Sequence, residues 1–177
     1  MPIDERVNVY IDGSNLYHSL RDIAKRTDLH FSKFAAKLVG TRSLVRVYYY
    51  NAPVDQTKEP QRYKDQQRFF QALRNVDYLD VRLGRLIYRN WPQLPPYEKG
   101  IDIKMASDML VHGHRRNYDV VVLVSGDTDF VDALEAVKEL GHHVEVALFD
   151  VGGSQRLREV ADRVIKIDAQ FLQDCWL

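Results

Sequence analysis

The chain has 177 residues, of which 45% are hydrophobic and 28% charged, a composition that excludes a disordered polyelectrolyte and supplies enough apolar surface for one domain with a sizeable core. Its 25 basic and 25 acidic side chains cancel to a formal net charge of zero, which excludes a polycation that holds nucleic acid by bulk charge alone. The single cysteine, Cys175, excludes an intramolecular disulfide and argues against a cysteine-built zinc site.

In chain order, residues 1–13 lack the charged-then-apolar pattern of a signal peptide, and no apolar run reaches membrane-spanning length, so a cytoplasmic protein without membrane association is expected. Residues 7–11 and 44–50 are β-branched and aromatic runs that read as strands. Residues 59–75 carry Tyr63, Phe69, Phe70 and Leu73 at helical period. A weaker strand spans 78–87, and the proline-rich stretch 91–97 reads as an exposed loop. A helix over 102–115 places Ile103, Ala106 and Leu110 on one stripe. Residues 120–124 are apolar throughout, the mark of a central strand covered on both faces. A helix over 129–140 aligns Phe130, Ala133, Leu134, Val137 and Leu140 and stops at Gly141. Strands at 144–148 and 163–167 complete the alternation. Strand–helix alternation implies right-handed βαβ units, hence a single α/β domain over residues 1–177 with a central, mostly parallel sheet and helices on both faces.

In open parallel sheets, sites form beyond the carboxyl ends of the strands. Two strands deliver an aspartate there: Asp12-Gly13-Ser14-Asn15 follows the first, and Ser125-Gly126-Asp127-Thr128-Asp129 follows the run at 120–124. Helix capping by Ser14 or Asn15, and by Asp127 or Thr128, explains part of this pattern. Capping does not demand a carboxylate at both strand ends, and two converging carboxylates repel unless a cation lies between them. Asp102, at the start of the helix before the central strand, is a third candidate, with complementation of the helix dipole as its plainer reading. Asp108 lies about 240° further round that helix and is expected to support the fold or face solvent. Phosphate-loop, dinucleotide and nucleophile-elbow motifs are missing, so ATP, NAD and a serine nucleophile are not expected. His112, His114, His142 and His143 read as surface or half-buried residues rather than zinc ligands.

The charge is unevenly spread: residues 42–116 hold fourteen basic and eight acidic side chains, whereas residues 117–177 hold five basic and twelve acidic. The asymmetry suggests a polyanion-binding surface beside an acidic pocket, though chance clustering of solvated charge also produces it.

The segments 9–16, 99–102 and 124–130, in that order, resemble the NYN-domain family, most closely its LabA-like bacterial branch, which is related to PIN-domain ribonucleases. The resemblance covers residues 5–167, including Leu140-Gly141 before a strand. It implies a three-layer α/β/α PIN-like fold and a Mg²⁺- or Mn²⁺-dependent ribonuclease site. Asp12, Asp102 and Asp127 match the acidic metal-binding positions, Asp129 a further acidic position, Asn15 the polar residue that orients the first carboxylate or touches the scissile phosphate, and Ser125 the small hydroxyl residue beside the third aspartate. The chemistry agrees, because hard divalent ions prefer oxygen ligands and can activate water without a protein nucleophile.

On this reading the partner is single-stranded RNA. Lys99, Lys104, Arg85 and Arg89, together with Arg82, Arg115 and Arg116, are candidate phosphate contacts. Trp91, Tyr88 and Tyr97 bracket the proline-rich loop and are candidate stacking platforms, the alternative being packing of that loop against the domain or against a second subunit of a homodimer. Lys99 and Lys104 have a plainer role available in neutralising nearby aspartates. Two competing functions stand beside the ribonuclease: a non-catalytic RNA- or protein-binding regulatory module, and a Mg²⁺-dependent enzyme acting on small phosphate esters.

Overall fold

A computed structural model describes residues 4–149 and 154–177. Six strands form one sheet: β1 (Arg6–Asp12), β2 (Ser43–Asn51), β3 (Leu79–Leu83), β6 (Val120–Val124), β7 (His143–Phe149) and β8 (Arg163–Ile167). Their order is β3-β2-β1-β6-β7-β8, and every pairing is parallel. The period of two sorts the strand residues between two cores. Val7, Val9, Ile11, Val120, Val122 and Val124 join one core, covered by α1 (Gly13–Ser19), α2 (Phe31–Val39), α3 (Pro60–Arg74) and α7 (Ala169–Leu172). Tyr10, Tyr48, Tyr50, Val121, Leu123, Val144 and Val146 join the other, covered by α4 (Ile101–His114), α5 (Val131–Glu139) and α6 (Gln155–Val160). The architecture is the expected α/β/α sandwich with a parallel central sheet. Among the described residues, no helix is long and apolar enough to cross a membrane.

The chain builds outward from β1 in one direction through β2 and β3, and in the other from β6 through β7 and β8. The order therefore reverses between β1 and β6, and a crevice opens beyond their carboxyl ends, where doubly wound sheets hold ligands.

Four expectations need correction. The run 78–87 is not one strand: the chain leaves the sheet at Gly84, and β4 (Arg85–Ile87) pairs antiparallel with β5 (Tyr97–Lys99) in a separate two-stranded ribbon. Gly84 lies where the Ile101 side chain packs too closely for a Cβ, and its N–H donates to the Asn51 carbonyl at 2.8 Å. The proline-rich stretch is thus the turn of a hairpin, and its last residue already belongs to β5. The buried face of α4 is Ile101, Met105, Met109 and His112, not the stripe through Ile103, which is 74% exposed; Ala106 and Leu110 flank the true face and are partly buried. Both stripes have helical spacing, and the sheet selects the one carrying the two methionines. In α5 the expected stripe is buried except for Leu140, an exposed C-cap before Gly141, whose φ of +88° ends the helix as expected. Finally, α1 is not capped by Ser14 or Asn15: Asp12 itself is the N-cap.

Candidate functional site

Asp12 ends β1 with only 6% of its surface exposed. One carboxylate oxygen accepts from the Asn15 backbone N–H at 3.0 Å, and the other accepts from the Ser125 hydroxyl at 3.1 Å. Ser125 lies just beyond β6, and its Oγ accepts in turn from the Asp127 N–H at 3.1 Å. The Asn15 side-chain oxygen accepts from the Gly126 N–H at 3.2 Å, and Asp127 caps the short 3₁₀ turn Thr128–Phe130 by accepting from the Asp129 N–H at 2.9 Å. This chain of bonds joins the carboxyl ends of β1 and β6 across the switch point. Asn15 and Ser125 are its staples: each ties the 125–127 loop to the first helix or to its cap.

The loop so held presents Asp127 and Asp129 to Asp102, in the first turn of α4. One carboxylate oxygen from each of the three lies within 4.8 Å of the others. An open groove of about 300 Å³, lined by Gly100, Asp102, Ile103, Ala106 and Asp129, runs beside them. A cavity of about 330 Å³ at the opposite, amino edge of the sheet has Phe31, Ala35, Val39, Leu44, Val47 and Leu79 in its lining and lacks any such convergence. Asp12 is not part of that set, and its oxygens accept from Asn15 and Ser125. Among the described residues, no lysine or arginine pairs with Asp12, Asp102, Asp127 or Asp129.

Electrostatics carries the mark of this crowding. Burial pushes the Asp12 carboxyl above its ordinary range, against the hydrogen bonds from Asn15 and Ser125 that favour ionisation. Asp102 is also raised, first by burial and then by the charges of Asp12, Asp127 and Asp129. Reading the sequence missed a further member, Glu98 on β5. Burial, with the charges of Asp12 and Asp102, raises its carboxyl to about 7, partly offset by a hydrogen bond with Ser14. In β5 Glu98 turns inward beside Leu86 while Tyr97 and Lys99 face out, an alternation that three residues are too few to announce in the sequence.

Three hard oxygen donors converging without a counter-cation are a donor set that suits Mg²⁺ or Mn²⁺. Elsewhere, Asp108 accepts from the Tyr50 hydroxyl at 2.8 Å and lies 3.8 Å from Arg82, a supporting role on a different side of α4. His112 is buried, 2.7 Å from the Tyr10 hydroxyl, and His142 contacts the Gly113 carbonyl at 2.8 Å. Lys104 reaches back to the Leu83 carbonyl at 3.3 Å, whereas Lys99, Arg85 and Arg89 are exposed on the β4–β5 hairpin or at its edge. Trp91 is half-buried with its ring edge-on to Tyr88, 5.4 Å between centroids.

The fold is shared with a Vibrio parahaemolyticus protein of unknown function, whose crystal structure superposes with a TM-score of 0.75 at 24% identity over 100% of this chain and 99% of that one. The low amplitude and bright protein LabA of Synechococcus elongatus is 25% identical over 169 residues, 92% of this chain and 84% of LabA. An uncharacterized protein of Methanocaldococcus jannaschii is 36% identical over 74 residues, a match that spans 42% of this chain and only 31% of the archaeal protein. The NYN domain matches residues 6–168 and contains every strand of the central sheet and all four aspartates just described. With that match laid over a PIN-like sandwich whose carboxyl edge gathers the aspartates, the chain belongs to the NYN-domain family.

Proposed function

We propose that this protein is a metal-dependent endoribonuclease that hydrolyses phosphodiester bonds of single-stranded RNA. The observation that carries the reading is the convergence of Asp102, Asp127 and Asp129 at the switch point of a NYN-domain sheet, with no lysine or arginine among the described residues paired with them. A bound Mg²⁺ or Mn²⁺ would polarise the phosphoryl oxygens and lower the pKa of the attacking water. Asp102, Asp127 and Asp129 would hold it, with Asp12 completing the negative field. Asp12 acts through its own bonds: its carboxylate fixes the Ser125 hydroxyl, which fixes the Asp127 N–H, so the ligand loop is tied to β1. Asn15 secures the same loop through Gly126. No side-chain nucleophile is required.

The test uses substitutions that remove charge but keep the caps, since asparagine caps helices about as well as aspartate. Asp12→Asn and Asp127→Asn are expected to fold as the parent does, by circular dichroism, and to lower Mn²⁺-dependent cleavage of labelled single-stranded RNA by at least about 100-fold, the scale at which losing electrostatic stabilisation acts. EDTA is expected to abolish cleavage by the parent. Equal cleavage by the double variant and the parent, from identical preparations, overturns the proposal. Because Asp12 and Asp127 also serve as helix caps, the same site without turnover describes a non-catalytic RNA- or protein-binding module. That reading prevails if RNA binds and is never cut.

A further inference from the structure

The β4–β5 hairpin has two unlike faces. Its register pairs Arg85 with Lys99, Leu86 with Glu98 and Ile87 with Tyr97, and residues directly opposite in such a ribbon share a face. The inner face holds Leu86, packed against the core, and Glu98, turned toward Asp12 and Asp102. The outer face holds Arg85, Lys99, Ile87 and Tyr97.

Arg85 and Lys99 are thus like charges set directly across from one another, an arrangement that destabilises a ribbon unless something anionic lies over it. Neither residue, nor Arg89 just beyond β4, has an acidic or hydrogen-bonding partner among the described residues. Several other cations of the same chain region are matched. Arg42 forks onto Glu145 at 2.8 and 2.9 Å, Arg46 and Arg82 share Asp80, and Arg62 meets Glu59 at 2.8 Å. Tyr97 is 48% exposed and has no ring or hydrogen-bond partner among the described residues. Tyr88 and Trp91, by contrast, anchor the hairpin. The Tyr88 hydroxyl donates to Glu59 at 2.6 Å and accepts from the Asp55 N–H at 2.9 Å, and the Trp91 ring leans on it. The outer face is therefore a held surface that presents two unmatched cations and one free aromatic ring, with the exposed Arg89 two residues beyond β4, and it is joined through Gly100 to the helix that carries Asp102.

We infer that the outer face of the β4–β5 hairpin docks a single-stranded polynucleotide, with Arg85, Lys99 and Arg89 on its phosphates and Tyr97 stacked on a base; as a feeder of substrate to the acidic cluster, this rests on the nuclease reading. Charge alone would also suit an acidic peptide. A single strand uses both features together, because it offers phosphates and base faces at short, repeating spacing.

The experiment is fluorescence anisotropy with the full chain in EDTA, titrating labelled 12-nucleotide RNA and DNA from 50 to 200 mM salt, with polyglutamate as a competitor. Arg85→Ala/Lys99→Ala is expected to weaken RNA binding and to reduce the slope of log K against log salt by about 1.4, two contacts at about 0.7 each. Tyr97→Ala is expected to weaken binding about tenfold at unchanged slope, with Tyr97→Phe restoring it. These side chains face outward and the double variant relieves a like-charge pair, so melting temperatures no lower than the parent's serve as the folding control. Tighter binding of RNA than DNA assigns the surface to RNA, and equal binding assigns it to single strands in general; both support the inference. Unaltered binding by the double variant and by Tyr97→Ala overturns it, as does polyglutamate competing as well as RNA. Binding needs no metal, so a parent that binds through the hairpin yet never cuts RNA sinks only the nuclease reading. A parent that cuts RNA with a hairpin indifferent to substitution sinks only this one.

Discussion

Asp102→Asn should make the metal-free protein more stable and the metal-loaded protein relatively less so. In the parent, the Asp102 carboxylate faces those of Asp127 and Asp129 within 4.8 Å, and among the described residues no lysine or arginine pairs with them. At that separation and the dielectric of water, each pair repels by about 0.9 kcal/mol, so removing Asp102 relieves about 1.7 kcal/mol. Against this stands the loss of a negative charge in the first turn of α4, where Asp102 complements the helix dipole for about 0.3–1 kcal/mol. Relief exceeds loss, and the variant should gain about 0.7–1.4 kcal/mol, or roughly 2–5 °C in Tm for a domain of this size. Divalent metal reverses the ranking. At a hundred times its Kd, an ion that binds only the folded parent adds about 2.7 kcal/mol, and a site missing one of three carboxylates gains much less.

Thermal melts at pH 8 and low salt, with EDTA and then with millimolar Mn²⁺, check both halves. That pH lies far above the ordinary carboxylate range, where the repulsion is expressed most. A variant that melts below the parent in EDTA and shifts equally with Mn²⁺ would show that Asp102 serves the helix dipole alone, and the metal-site reasoning would fall with it.

Glu98, raised to about 7 by burial and by Asp12 and Asp102, binds its proton more tightly in the folded chain than in the unfolded one. Its stabilising effect is therefore present at pH 4 and lost as pH rises through about 7, so Tm in EDTA should decline over that window and Glu98→Gln should flatten the decline. In Gly13→Ala the new Cβ would meet the Tyr49 ring and stand 2.6 Å from the Tyr50 carbonyl oxygen, which is rigid backbone; urea unfolding should show a loss of about 1–3 kcal/mol. Gly84→Ala meets the Ile101 side chain, at its Cδ1 and Cγ1, rather than rigid backbone and should lose less in the same assay. Met105→Ala empties a fully buried site beneath the sheet and should cost about 2–5 kcal/mol by the same measurement, which Ile103→Ala on the exposed stripe of α4 should not.

That last contrast shows what was legible in the sequence. The sheet was readable because its inner strands are covered on both faces, and a continuous five-residue apolar run such as Val120–Val124 suits a buried strand far better than an amphipathic helix or a loop. The stripe of α4 was not, because two apolar series of equal period run along it and only the partner surface chooses between them. The hairpin was obscured for a related reason: β4 and β5 are three residues each, too short for any alternation to register, and the prolines between them signal a loop without saying that its ends pair. Three of the four expected acidic positions converge as motif order suggested, since two lie beyond β6 and one at the head of α4, next to the switch point that strand order creates. The withdrawn position of Asp12, with both oxygens engaged, depended on hydrogen bonds to Ser125 and Asn15, which spacing cannot reveal.

The distribution of charge follows the same logic. Residues 42–116 carry an excess of basic side chains, yet a chain segment is not a surface. Folding sends Arg42 across the domain to Glu145, 103 positions away, where both are largely buried and the pair serves the fold. Arg82 turns to Asp80 and Asp108, and its guanidinium lies over the Tyr48 ring at 5.1 Å. These cations cannot greet a polyanion without breaking bonds that the native state already makes. Lys99 and Arg85 can, because the ribbon fixes them side by side with nothing to neutralise, three residues in sequence from Asp102 in the case of Lys99. A net charge of zero thus conceals two opposed and adjacent unbalanced sets, acidic inside the crevice and basic outside the hairpin. Each is costly to the free protein, and a divalent ion for the first and a phosphate chain for the second would remove both costs together.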